Sequence, residues 1–276
     1  MQSETILPVL KWAGGKRWLV NRFPDLIPKD FNKYYEPFVG SGAIFFALRP
    51  KAGQISDSNP ELINVYKAIK KEPDTVFKLL HRHSRNHCTD HYYKVRATVP
   101  TNDAAKAART LYLNRTCWNG LYRVNKRGEF NVPRGTKTNI IFPNEDFEII
   151  AKALGRIAIK CCDFEEAISS ARTNDFLFVD PPYTVRHNNN GFIKYNESIF
   201  TWADQLRLRN AIHLAWKRGV KVLITNANHR PLRDMYREMG VLHTLPRASI
   251  ISGSAHGRRK TSELAVQVNY EIDYNA

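Results

Sequence analysis

The sequence predicts an α/β fold with a parallel sheet, interrupted by an inserted module of helical and β-hairpin character. Three observations predict it. Short apolar runs that read as buried strands alternate with segments of helical spacing at both ends of the chain. The alternation lapses from about residue 72 to residue 141. One of the apolar runs, Phe176-Leu177-Phe178-Val179, stops at Asp180-Pro181-Pro182-Tyr183, where a parallel strand would end.

The elements follow in order. Tyr34 to Phe38 reads as a strand feeding a glycine turn, and Ala43 to Leu48 as the next helix. Gln54-Ile55-Ser56 forms a short strand ending at Asp57. Asn59 to Lys70 has Leu62, Ile63, Tyr66 and Ile69 on one helical face. Helical, basic sequence then leads into Asn114–Gly135, dense in Asn, Gly, Arg and aromatics. There Asn119-Gly120 is a strong tight-turn signal and Arg127-Gly128 a weaker one, so a β-hairpin is expected. Arg123, Lys126, Arg127 and Arg134 cluster on it, as on a nucleic-acid face; a solvated lid over a small-molecule site is the other reading. Arg156 to Lys160, Phe176 to Val179 and Lys221 to Ile224 read as core strands, with a helix over Trp202–Trp216 between the last two. Leu264 to Val268 alternates like a terminal strand. The domains expected are 1–71 with 142–276, and an insert over 72–141.

The 276 residues are ample for a core. Lys+Arg 42 against Asp+Glu 26 gives a net charge of +16, which favours a polyanionic partner. The cysteines Cys88, Cys117, Cys161 and Cys162 form no CxxC pair and no disulfide framework. No secretory signal is visible, and no apolar run approaches the roughly 18 residues of a membrane helix. A soluble, cytoplasmic protein without a membrane partner is expected.

Two prolines cannot extend a strand, because they lack N–H groups and fix φ. Asp180, a stiff turn and Tyr183 are therefore presented together at the sheet edge where α/β proteins bind ligands. Asp180 and the Pro181 carbonyl can accept from an exocyclic amine whose ring stacks on Tyr183. A structural Pro-Pro turn with a capping Asp fits the tetrapeptide equally well. Glu36-Pro-Phe-Val-Gly40-Ser-Gly42 joins a strand to a helix and lets backbone approach a ligand. Asp57, about 15 residues further on, is placed to hold ribose hydroxyls. Position 45 is Phe rather than Gly, which argues against a dinucleotide site. Lys11-Trp12-Ala13-Gly14-Gly15-Lys16 fails as a P-loop, since Arg17 follows Lys16. His83, His87 and His91 share a helical face near His81 and Cys88, but the spacing matches no zinc pattern; a polar, partly DNA-facing helix is expected, with no metal.

Together, Lys-Trp-Ala-Gly-Gly-Lys (11–16), Glu-Pro-Phe-Val-Gly-Ser-Gly (36–42) and Asp-Pro-Pro-Tyr (180–183) resemble the DNA adenine-N6 methyltransferases of the Dam-like group. The likeness spans most of the chain, and Asn119-Gly120-Leu121 with Arg127 to Pro133 resembles that group's target-recognition hairpin. The resemblance implies a Rossmann-like methyltransferase sheet with S-adenosylmethionine as cofactor. Trp12 and Lys16 would line its pocket, with Glu36, Phe38, Gly40 and Gly42 beneath the methionine part. Asp57 would hold the ribose and Asp163-Phe164 would flank the adenine; Asp163 also reads as a helix N-cap. Asp180, Pro181 and Tyr183 would be catalytic, with Asp180 also facing the cofactor. Double-stranded DNA would be methylated within GATC by base flipping. Lys11, Trp118, Asn119, Leu121, Arg123 and Pro133 fall at DNA-contact positions, Arg123 on guanine and Pro133 on a thymine methyl. Trp118 stands where close members carry Tyr or another residue, and Lys137 near where some place an intercalating Tyr. Arg258 and Arg259 read as phosphate contacts on a basic loop, or as a solvated turn. A monomer on DNA is expected, with a cognate restriction endonuclease as a further partner. The competing functions are an RNA N6-adenine or DNA N4-cytosine methyltransferase, and a non-catalytic basic DNA-binding module.

Overall fold

A computed structural model describes residues 6–183, 200–248 and 260–271. Its strands are β1 (Tyr34–Glu36), β2 (Gly53–Asp57), β3 (Ile157–Cys161), β4 (Phe176–Val179), β5 (Lys221–Ala227), β6 (Val241–Ala248) and β7 (Lys260–Val268). They form a seven-stranded sheet in the order β3-β2-β1-β4-β5-β7-β6. The chain divides into two compact units. One comprises Met1–Arg22, Val39–Lys51 and Ile55–Cys161, the other Phe23–Phe38, Ala52–Gln54 and Cys162–Ala276.

The first unit is mainly helical, with α1 (Arg17–Arg22), α2 (Ala43–Leu48), α3 (Pro60–Lys71), α4 (Pro73–Arg85), α5 (Thr89–Ala97), α6 (Asp103–Thr116) and α7 (Phe147–Leu154). Helix α3 starts where Asn59 accepts from the backbone N–H of Glu61 and Leu62 and Pro60 presets φ. The expected stripe Leu62, Ile63, Tyr66 and Ile69 is buried. Helix α6 is buried from Ala107 to Thr116 and packs against α3, α4 and α5.

Arg115 is wholly buried at the end of α6. Its guanidinium donates to the carbonyls of Val9 and Ile140, pairs with Glu145, and lies 4.2 Å from the Phe142 ring centroid. One cation thus fastens the segment before α1 and the 140–145 loop to α6. Filling every donor of a buried guanidinium is what makes its desolvation tolerable.

The hairpin is a chain reversal carried by two isolated bridges, Cys117↔Arg134 and Val124↔Phe130. Its tip is the weaker of the two expected turns. The Asn125 side-chain oxygen accepts from Arg127 N and Glu129 N, and Gly128 takes φ +77°. Asn119 and Gly120, at φ +54° and +65°, instead make a tight turn directly after α6, closed by Leu121 N to Trp118 O. The histidines do not share one helix. Helix α4 ends at Arg85 and α5 begins at Thr89, so His87 lies between them. His83, His87 and His91 nonetheless meet around Tyr112. His83 Nδ1 lies 3.1 Å from His91 Nε2, and burial pushes the His83 imidazole down to about 4.

In the second unit β1 and β5 flank β4 in parallel, and β7 runs antiparallel to both β5 and β6. Helices α8 (Phe164–Ser170), α9 (Trp202–Lys217) and α10 (Arg230–Tyr236) belong to this unit. The terminal strand expected over Leu264–Val268 is the C-terminal part of β7, and all five residues are buried. Leu264, Val266 and Val268 pack into the core with Leu208, Ile212 and Leu232 from the helices, while β5 and β6 pair the two edges of β7.

Arg115→Ala is expected to lower unfolding stability by about 3–5 kcal/mol, because Glu145 is left buried and unpaired. Urea denaturation followed by circular dichroism checks this; a loss under about 1 kcal/mol would contradict the role given to the pair.

Candidate active site and DNA interface

The glycine loop is built in the first unit. Val39 N donates to Ser56 O, which seats the loop against β2. Gly40 adopts φ +45°, and a Cβ there would come within 2.8 Å of the Trp12 ring. Only glycine lets the backbone lie against that indole. Tyr66 OH donates to Gly40 O at 2.7 Å, and Gly40 N donates to Asp57 Oδ2 at 3.3 Å. Trp12, Gly40 and Asp57 are thereby brought together, with Tyr66 as a tether that the helical pattern identified only as a core residue. Trp12 also packs on Tyr122, ring centroids 5.3 Å apart. Lys16 is buried, its ammonium donating to Gly14 O at 2.8 Å. Gly42 caps α2 in the left-handed conformation. Asp57 Oδ1 accepts from Asn59 N, yet burial outweighs these hydrogen bonds and pushes its carboxyl up to about 6.

The tetrapeptide is built in the second unit. Strand β4 is buried on both faces, and the prolines end it. Asp180 Oδ1 accepts from Thr225 Oγ1 at 2.8 Å. Tyr183 OH donates to Glu263 Oε2 at 2.9 Å. Neither Thr225 nor Glu263 carried a sequence signal. Thr225 is the residue just past the strand expected over 221–224, and Glu263 lies just ahead of the run 264–268. Strand β1 ends beside β4 at Glu36, which is buried and accepts from Tyr34 OH at 2.9 Å. Phe38 stacks on Phe164 at 5.5 Å and meets Phe200 edge-on at 5.8 Å. Asp163 caps α8 by accepting from Glu165 N, as its capping reading expects. It is exposed and pairs with Arg207, whose guanidinium also lies 4.9 Å from the Phe164 ring centroid. The unit thus gathers Phe38, Asp163 and Phe164 in one place.

The expected DNA face returns to the first unit. Lys11 exchanges two backbone hydrogen bonds with the Asn114 side chain, each 2.8 Å. Burial, with Lys137 and Arg115 beside it, lowers the Lys11 ammonium from its ordinary value. Lys11 and Lys137 therefore share one positive spot. Trp118 is 52% exposed, Asn119 is exposed beside it, and Leu121 is half-buried. Arg123 is exposed and fastened by Nε to Asn131 Oδ1 at 2.8 Å. Pro133 is exposed, while its neighbour Val132 is buried and accepts from Tyr92 OH. Arg258 and Arg259 lie outside the described residues. Among the described residues no grouping of His, Cys, Asp and Glu could hold a metal ion, and no helix is long and apolar enough to cross a membrane.

A seven-stranded, mostly parallel sheet with a carboxylate and two prolines closing its central strand is the Rossmann-like methyltransferase architecture. Residues 12–252 match the family described as MethyltransfD12, D12 class N6 adenine-specific DNA methyltransferase. The chain belongs to this family of adenine-specific DNA methyltransferases. It is 34% identical over 272 residues to the type II methyltransferase M1.LlaDCHI of Lactococcus lactis subsp. cremoris, covering 95% of each chain. It is 35% identical to the type II methyltransferase M.MjaIII of Methanocaldococcus jannaschii over 80% of this chain and 84% of the relative. It is also 34% identical to a DNA adenine methylase of Vibrio cholerae, over 92% and 93%. The family implies a methyl donor of the S-adenosylmethionine type and DNA as substrate.

Asp57 gives a pH test. Its native carboxyl holds a proton more tightly than the unfolded chain, whose carboxyl titrates near 3.9. Its contribution to stability is therefore complete below about pH 4 and is lost as pH rises through about 6. Asp57→Asn should match the wild type near pH 4 and exceed it by about 1–2 kcal/mol at pH 7.5, after discounting for partial exposure. Denaturant midpoints at both pH values check this; a difference that does not change with pH would contradict it.

Proposed function

We propose that this enzyme transfers a methyl group from S-adenosylmethionine to N6 of an adenine turned out of duplex DNA, within the sequence GATC. The observation that carries the reading is the fixed tetrapeptide: Asp180 held by Thr225 and Tyr183 held by Glu263, at the end of the central strand. The chain's own residues fit the cofactor. The Gly40 turn is tied at its carbonyl by Tyr66 and at its N–H by Asp57, so its shape exists before any ligand arrives. Trp12, Lys16 and Gly42 of the first unit, and Glu36 and Phe38 of the second, are the residues offered to the cofactor, and Asp57 accepts from ribose hydroxyls. Asp163 and Phe164 flank the adenine. The bound cofactor supplies a sulfonium methyl.

Adenine N6 is a poor nucleophile because its lone pair is delocalised into the ring. Asp180 and the Pro181 carbonyl accept hydrogen bonds from its two N–H groups and draw the nitrogen toward tetrahedral geometry; the one proton lost after the methyl arrives leaves from the N6 nitrogen. Turning the base out costs a few kcal/mol of unstacking and unpairing. Stacking on Tyr183 offsets roughly 1–3 kcal/mol of that. The remaining catalysis is positioning, which can be worth several orders of magnitude in rate.

Residues 72–141 serve as the target-recognition insert. Arg123 reads guanine through O6 and N7, and Pro133 meets a thymine methyl. Trp118, Asn119 and Leu121 present the turn after α6, while Lys11 and Lys137 hold phosphate with Arg258 and Arg259. The resemblance to the Dam-like group supports GATC. The naming of two relatives as type II methyltransferases supports a restriction endonuclease as a cellular counterpart. The protein acts as a monomer on DNA, in the cytoplasm.

Asp180→Ala should abolish N6-methyladenine formation while leaving duplex affinity within about threefold, read by nucleoside mass analysis and fluorescence anisotropy. Turnover above about one per cent of wild type would contradict the role of Asp180. Arg123→Ala should relax discrimination at one guanine, by about 1–3 kcal/mol. Methylation of a library of single-base GATC variants reads this, and an unchanged preference would remove the assignment.

A further inference from the structure

We infer that Thr225 and Glu263 are positioning residues for methyl transfer, a strand-borne clamp that fixes the orientation of Asp180 and Tyr183. The inference rests on the methyltransferase reading and deepens it. Pairing of the strands places both residues. In the parallel β4–β5 ladder Val179 is opposite Ile224, so Asp180 emerges beside Thr225. In the antiparallel β5–β7 ladder Thr225 is opposite Ala265, and Ala227 is opposite Glu263. Residues two apart on a strand, and residues directly opposite across a pair, share a face of the sheet. Thr225, Ala227, Glu263 and Ala265 therefore occupy one face as a square. The two polar side chains lie on one diagonal and the two alanines on the other. The small alanines leave the long Glu263 side chain room to reach Tyr183.

The clamp is fully buried in one member and nearly so in the other, with Thr225 at 0% and Glu263 at 3% exposure. Burying a carboxylate is costly unless it is hydrogen-bonded, and the Tyr183 hydroxyl supplies such a bond. Each contact removes one rotation: Thr225 sets the plane of the Asp180 carboxylate, and Glu263 sets the tilt of the Tyr183 ring. A carboxylate turned out of plane accepts the amine proton at the wrong angle, and misplacement on the scale of 1 Å can cost about 100-fold in rate. Both contacts bridge long stretches of chain, from β5 and β7 to the tetrapeptide after β4. Neither residue touches the reacting atoms.

The test is steady-state methylation of unmodified genomic DNA with labelled S-adenosylmethionine, at a temperature where circular dichroism shows each variant folded. Thr225→Val is expected to lower kcat about 10–100-fold with both KM values within about threefold, and Thr225→Ser to restore kcat to within about threefold. Glu263→Ala should likewise lower kcat about tenfold or more, while Glu263→Gln, which keeps an acceptor oxygen, should not. Tyr183→Phe breaks the same contact from the other side and serves if Glu263→Ala does not fold. The double variant Tyr183→Phe/Glu263→Ala should be no slower than Tyr183→Phe alone, although Glu263→Ala by itself is slow, the mark of coupled residues. The inference is overturned if Thr225→Val and Tyr183→Phe turn over within about threefold of wild type, or if only KM moves. If the wild-type enzyme itself forms no N6-methyladenine, it is the functional reading that falls.

Discussion

Two prolines at the end of a buried central strand are the constraint from which the site follows. Strand β4 lies between β1 and β5 and is covered on both faces. Its last regular residue is Val179, because neither Pro181 nor Pro182 can donate to a ladder. The chain leaves β1 for β2 and β3 before returning at β4, so the strand order reverses between β1 and β4. Such a reversal opens a crevice beyond the carboxyl ends of the strands. Glu36 at the end of β1 and Asp180 just beyond β4 are set there by topology, ahead of any side-chain chemistry.

Loops are also restrained by single polar groups. Asp57 and Tyr66 hold the two polar atoms of the Gly40 peptide. Arg115 fastens two loops to α6, and Asn131 fastens Arg123 to its own hairpin. Each group is far in sequence from at least one partner or spans a turn, so each removes conformational freedom that a local contact could not. Recognition of DNA asks for such rigidity, since a guanidinium already held in orientation loses less entropy when it binds. The net charge of +16 favours approach to a polyanion such as DNA over a distance.

Local signals in the sequence carried much of the fold. Helix α2 and strand β4 begin and end where their apolar runs do, and α3 (Pro60–Lys71) lies within one residue of the helix expected over 59–70. Local signals failed where long-range packing decides. Nothing in Leu264–Val268 tells which strands pair with it, and the two that do, β5 and β6, stand earlier in the chain, outside that run. His83 and His91 meet although a break separates their helices, and Tyr112 of α6 packs against both rings. Asn119-Gly120 carries the stronger turn chemistry, yet the reversal falls at Arg127-Gly128, where Asn125 closes the loop with its side chain. In the candidate site, the motif residues carry a signal in the sequence because their types are constrained by chemistry. Thr225 and Glu263 carry none, because their role depends on strand pairing across 45 and 80 residues of sequence.

The central claim is that a fixed Asp180-Pro181-Pro182-Tyr183 turn acts on the exocyclic nitrogen of adenine in duplex DNA. The most direct measurement is incubation of the purified protein with unmethylated duplex DNA and S-adenosylmethionine, followed by digestion and mass analysis of the nucleosides. The account predicts N6-methyladenosine's deoxy form as the product, absent without the donor and absent with RNA as substrate. Methylated cytosine, or unmodified DNA from folded protein supplied with donor, would contradict it.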